Sequence, residues 1–140
     1  MPARVRCVLL VDDDPITNYL NRRLLEKLDA TEQVLVALNG HEALQVLARE
    51  CPESGPGSCC PALIFLDVNM PLMNGFDFLD AYQLLPLARR RAIVIIMLTT
   101  SVHPNDMQRL ENLPVAGFLS KPLNPEKIQR VLDQHFGAAA

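Results

Sequence analysis

The stretch Ala62–Gly75, ALIFLDVNMPLMNG, constrains the fold more than any other part of the chain. Its first five residues, Ala62 to Leu66, are apolar without alternation, the pattern of a central parallel strand covered on both faces. The run stops at Asp67. A carboxylate at the carboxyl end of such a strand stands at the rim where open α/β sheets bind ligands. Beyond it Pro71 and Asn74-Gly75 supply turn chemistry, and Asn74 with Asp77 three residues later marks a helix start. Asp67 is therefore expected on a loop between strand and helix. Taken alone, an aspartate there reads equally well as a cap or a solvated loop residue.

The same alternation of strand and helix patterns recurs five times, the signature of a doubly wound parallel α/β sheet. The first strand is Val5–Val11, and Asp14-Pro15 opens the first helix as N-cap and first-turn proline, with Ile16, Leu20, Leu24 and Leu28 as its buried stripe. A short second strand covers about Gln33–Ala37. The second helix begins at Asn39, with Glu42 as a capping-box partner and Ala43, Leu44 and Leu47 facing inward. The third helix spans about Asn74–Leu85, and the fourth strand is Ala92–Leu98, ending in Thr99. The fourth helix, about Pro104–Asn112, offers few core residues beyond Met107 and Leu110, so low local stability is expected there. The fifth strand is Ala116–Leu119. Asn124-Pro125 then starts a fifth helix with Ile128, Val131, Leu132 and Phe136 inward. Without an internal linker or a second apolar unit, residues 1–140 read as one domain with its core at about 5–136.

Composition excludes several classes. A net charge of −3, no basic tract and only seven aromatic residues disfavour direct nucleic-acid binding. No apolar run approaches the roughly 20 residues of a membrane span, and the first strand lacks signal-peptide features, so a cytoplasmic protein without membrane contact is expected. Cys51–Pro61, with three Pro and two Gly in eleven positions, reads as an extended surface loop. The four cysteines (Cys7, Cys51, Cys59, Cys60) contain no C-x-x-C, so reduced thiols are the expectation.

In an open sheet of this kind the strand ends lie on one edge, which would gather Asp12, Asp13, Asp67, Thr99 and Lys121. Three carboxylates together are costly unless a cation fills the space, and an all-oxygen set with open positions suits Mg²⁺ rather than zinc. One carboxylate can then carry a phosphoryl group, with Lys121 and the Thr99 hydroxyl supplying countercharge and a hydrogen bond. The set fits an aspartyl-phosphate site with Asp67 as nucleophile.

These residues, in the runs VLLVDDD, LIFLDVNMP–NG, IIMLTTS and GFLSKP, resemble the receiver domain of two-component response regulators over about Val5–Phe136. The resemblance implies a flavodoxin-like fold of five parallel strands in the order 2-1-3-4-5 with helices on both faces. It implies Asp67 as phosphoacceptor, and Asp12, Asp13, Asp67 and the Asn69 backbone carbonyl as the Mg²⁺ site, with Asp13 a direct ligand. Thr99 and Lys121 would bind the phosphoryl oxygens, the Lys121–Pro122 peptide would be cis, and Thr99 and Phe118 would form the switch. Phe118 lacks the phenolic hydroxyl commoner at that position, and Thr100 stands where a smaller residue is frequent. The implied function is a stand-alone, single-domain receiver, phosphorylated by a histidine kinase or phosphotransfer protein. It would signal or relay through the face of the fourth helix, fifth strand and fifth helix, with a homodimer on activation also allowed. Its chemistry would be limited to auto-phosphorylation and auto-dephosphorylation. The TTS run and the long loop before the third strand resemble single-domain receivers found beside phytochrome-type kinases. Two other readings compete: an aspartyl-phosphate phosphohydrolase, which resembles the haloacid dehalogenase family but would need an Asp where Asn69 stands, and a non-phosphorylated interaction scaffold, which would need a lost site residue.

Overall fold

The unbroken apolar runs become strands covered on both sides. In a computed structural model, which describes residues 4–51, 60–68, 70, 73–85, 93–100 and 115–137, the strands are β1 (Val5–Val11), β2 (Thr31–Ala37), β3 (Leu63–Asp67), β4 (Val94–Thr99) and β5 (Gly117–Ser120). They pair in parallel in the order β2-β1-β3-β4-β5, as expected for a flavodoxin-like sheet. The helices are α1 (Pro15–Lys27), α2 (Gly40–Glu50), α3 (Gly75–Gln83) and α4 (Pro125–His135). The last is the fifth helix of the sequence reading; the expected fourth helix lies outside the described residues.

Side chains alternate between faces along each strand, and here each face has its own apolar cluster. Leu9, Val11, Ile64, Leu66, Ile95 and Met97 pack against Ala43, Val46 and Leu47 of α2 and Phe76, Leu79 and Tyr82 of α3. Val8, Leu10, Leu63, Phe65, Ile96 and Leu98 pack against Leu25 of α1 and Ile128, Val131 and Leu132 of α4. With both faces occupied, every residue of β3 and all of β1 except the exposed Arg6 near its start are buried.

Local capping sets the helix starts. Asn74 and Asp77 form a full capping box on α3, and Asn39 accepts the Glu42 N–H at 2.8 Å on α2. Glu42 itself reaches one residue past the cap, accepting the Leu38 N–H at 3.2 Å.

Two expectations are corrected. Of the stripe expected on α1, Leu24 and Leu28 are only partly buried, whereas Ile16 and Leu20 are 67% and 59% exposed. The buried residues are Asn18, Asn21 and Leu25. A polar contact sets this phase: Asn18 Nδ2 donates to Asp12 O at 2.9 Å and Ala37 O at 3.3 Å, closing the ends of β1 and β2. The cysteines are also not free thiols among the described residues. Cys51 at the end of α2 and Cys60 before β3 are joined, their Cα atoms 4.8 Å apart, and Cys7 in β1 is disulfide-bonded as well. The returning chain brings the pair within bridging reach, which no sequence spacing signals. Residues 52–59 of the intervening loop lie outside the described residues.

Candidate functional site

Strand register assembles the site. Val11 pairs with Leu66, so Asp12 and Asp67 are the next residues on neighbouring strands; Asp67 pairs with Leu98 and Thr99 with Ser120, so Lys121 leaves β5 at the same edge. Asp12 continues the Val8–Leu10 row and Asp67 the Leu63–Phe65 row, which places both on the face covered by α1 and α4. Asp67 is the last residue of β3 rather than a loop residue.

The three consecutive aspartates have separate surroundings. Asp14 is the N-cap of α1, accepting the Ile16 N–H at 2.9 Å and the Thr17 hydroxyl at 3.0 Å. Those bonds, the backbone one foremost, hold its carboxyl below the usual range. Asp12 is buried, its Oδ1 accepting the Asp14 N–H at 2.9 Å. Asp13 is exposed, yet one oxygen from each of Asp12, Asp13 and Asp67 lies within 4.8 Å of the others.

Lys121 Nζ stands 2.8 Å from Asp12 Oδ2 and 3.1 Å from Asp67 Oδ1. Burial by itself lowers the pKa of this ammonium, but the hydrogen bond to Asp12 and the charge and hydrogen bond of Asp67 outweigh it, and the net shift is upward. One ammonium against three carboxylates leaves two negative charges at the cluster. Hard, all-oxygen donors with that residual charge fit a divalent ion such as Mg²⁺.

Thr99 ends β4, buried, and its carbonyl accepts the Lys121 N–H at 2.8 Å. Phe118, opposite Met97 in register, is partly buried against the α2–α3 cluster, and the alternation puts Thr99 on that same face. The Lys121–Pro122 peptide is cis, as the resemblance implies. Asn69 lies outside the described residues. Gly75, read from sequence as a turn residue, opens α3 against the acceptor strand: a Cβ there would come within 2.8 Å of Asp67 O. Asn18 was also missed as a support for the Asp12 backbone: on a helix that carries Thr17, Asn21, Arg22 and Arg23 as well, an amide six residues after Asp12 gives no distinct signal.

The family model of the response regulator receiver domain matches residues 8–133. An uncharacterized 14.6 kDa protein in the sodA1 3' region of Leptolyngbya boryana is 34% identical over 128 residues, covering 91% of this chain and 88% of that protein. The solved chemotaxis protein CheY4 of Vibrio cholerae is 32% identical with a TM-score of 0.74, covering 93% of this chain and 98% of its own. The bacteriophytochrome response regulator AtBRR is 28% identical with a TM-score of 0.73, covering 98% and 96%. The matched span begins within β1 and ends within α4, and so takes in every carboxylate and the lysine gathered at this edge; the chain belongs to the family of response regulator receiver domains.

Proposed function

We propose that the chain is a phosphoacceptor, taking a phosphoryl group on Asp67 from a phosphohistidine of a histidine kinase or phosphotransfer protein and passing the signal on through protein contacts. The observation that carries this reading is the Lys121 ammonium bridging two buried carboxylates, 2.8 Å from Asp12 and 3.1 Å from Asp67. In the transfer an Asp67 oxygen bonds to phosphorus and the phosphorus–nitrogen bond breaks, the electron pair staying on the imidazole, which leaves neutral from a phosphohistidine already protonated on its other ring nitrogen. Lys121 and the Thr99 hydroxyl bind the phosphoryl oxygens. Asp12, Asp13 and Asp67 would hold Mg²⁺, whose charge offsets that of the phosphoryl group. Self-phosphorylation from a small acyl phosphate and hydrolysis of the product use the same groups.

Further support for a protein donor comes from the surface beside the site. Ile16, Tyr19 and Leu20 on α1 are 67%, 60% and 59% exposed, an apolar strip on the helix that Asp14 caps. On the output side, Thr99 is drawn toward the phosphoryl group and Phe118 turns inward, altering β5 and α4. This reading takes residues 1–140 as one receiver unit in the cytoplasm that signals through other proteins.

Intact-mass measurement after incubation with acetyl phosphate tests it. One phosphoryl group is expected on the wild type with Mg²⁺ and none on Asp67→Asn. Undiminished labelling of that variant would move the acceptor elsewhere.

A further inference from the structure

α4 is capped by Asn124, whose Oδ1 accepts the Lys127 backbone N–H at 2.8 Å. From that first turn the Lys127 side chain reaches back toward the sheet edge. Its Nζ donates to Ser120 O at 2.8 Å, Pro122 O at 2.9 Å and Ser120 Oγ at 3.3 Å. An ammonium has three donors, and each has an acceptor here. The two carbonyls flank Lys121, the residue whose own Nζ spans Asp12 and Asp67.

Lys121 leaves β5 where the ladder ends: its N–H is the last tie to β4, donating to Thr99 O at 2.8 Å. Among the described residues, β5 pairs with β4 no further than Thr99–Ser120. Lys127 adds a restraint from the helix side, its bonds to Ser120 O and Pro122 O bracketing Lys121. We propose that Lys127 is a positioning residue for the phosphoryl-acceptor site, fixing the backbone from which Lys121 reaches the acceptor. The inference rests on Asp67 as acceptor and Lys121 as a phosphoryl ligand. Misplacing a reacting or stabilising group by about 1 Å costs up to roughly a hundredfold in rate. Hydrogen bonds this exposed contribute little to overall stability. The effect of Lys127 therefore belongs in the rate and not in the melting temperature.

The experiment compares initial rates of phosphoryl gain from acetyl phosphate with Mg²⁺, by intact mass, for wild type, Lys127→Met and Lys127→Arg, each alongside a thermal melt. Lys127→Met keeps the aliphatic stem and removes the donors. Its rate is expected to fall about tenfold to a hundredfold with melting unchanged within a few degrees, and Lys127→Arg to recover most of the loss. A Lys127→Met rate equal to wild type, a loss explained entirely by its unfolded fraction, or an Arg variant as slow as Met would each overturn the positioning role while leaving the acceptor reading in place. Absence of labelling on the wild type itself would instead remove that reading, and this inference with it.

Discussion

Asp12 and Asp67 are each 3% exposed, and carboxylates that deep need countercharge. Lys121 provides it, and the energetic role of that lysine follows from burial. Lys121→Ala leaves two neighbouring buried carboxylates opposed by nothing on β5, so a loss of about 2–4 kcal/mol is expected in denaturant unfolding without metal. Added Mg²⁺ should recover more of the stability of this variant than of wild type, because the ion relieves the same repulsion; an equal response in both would place the metal away from these carboxylates. Legibility at this scale was uneven. The aspartates, Thr99 and Lys121 were visible because each follows an apolar run, but only register shows that Lys121 reaches Asp12, 109 positions away in the chain, as well as Asp67. Asn18 was hidden for the opposite reason: an amide in a helix looks solvent-facing, and only the packed ends of β1 and β2 turn it inward.

Helix boundaries were legible to within a residue or two where a cap is local, as at Asn74, Asn39 and Asn124. Helix phase was not. On α1 the apolar residues Ile16 and Leu20 face outward, since the contact of Asn18 with two strand-end carbonyls sets the rotation. The Cys51–Cys60 bond is likewise a property of two elements, pinning the end of α2 to the approach of β3 across a sequence separation of 9. A loop of that size confers about 2–3 kcal/mol, roughly 8 °C in melting temperature for a chain this long. The Cys51→Ala, Cys60→Ala double variant should melt lower by that amount than oxidised wild type. Such bonds are rare in the cytoplasm proposed for this receiver, so whether this one forms there is a direct test of that setting. Alkylating the protein at cell lysis and counting blocked thiols by mass checks this: unmodified Cys51 and Cys60 mean the bond forms in the cell.

At the scale of the whole molecule, two groups among the described residues tie stability to pH in the same direction. Lys121 has its pKa raised above the ordinary 10.5, its carboxylate partners outweighing burial, and Tyr82, stacked on Phe78, has its own raised above 10.0 by burial. A group with a raised folded value contributes stability that is complete below its unfolded value and is lost as pH rises through the folded one. Melting temperature should therefore hold up to about pH 10 and fall above it, with Tyr82→Phe removing part of the fall. A profile flat to pH 11 would contradict both shifts. By itself the sequence determined the five-stranded parallel order through family resemblance, the strands through unbroken apolar runs and the helix starts through caps, because those last two signals are local along the chain. Only the tertiary structure decided which face of α1 is buried, which cysteines join and that the Lys121 ammonium contacts Asp12 and Asp67 at once. Those outcomes depend on residues far apart in sequence, brought together by strand register and by the packing of helices on each face.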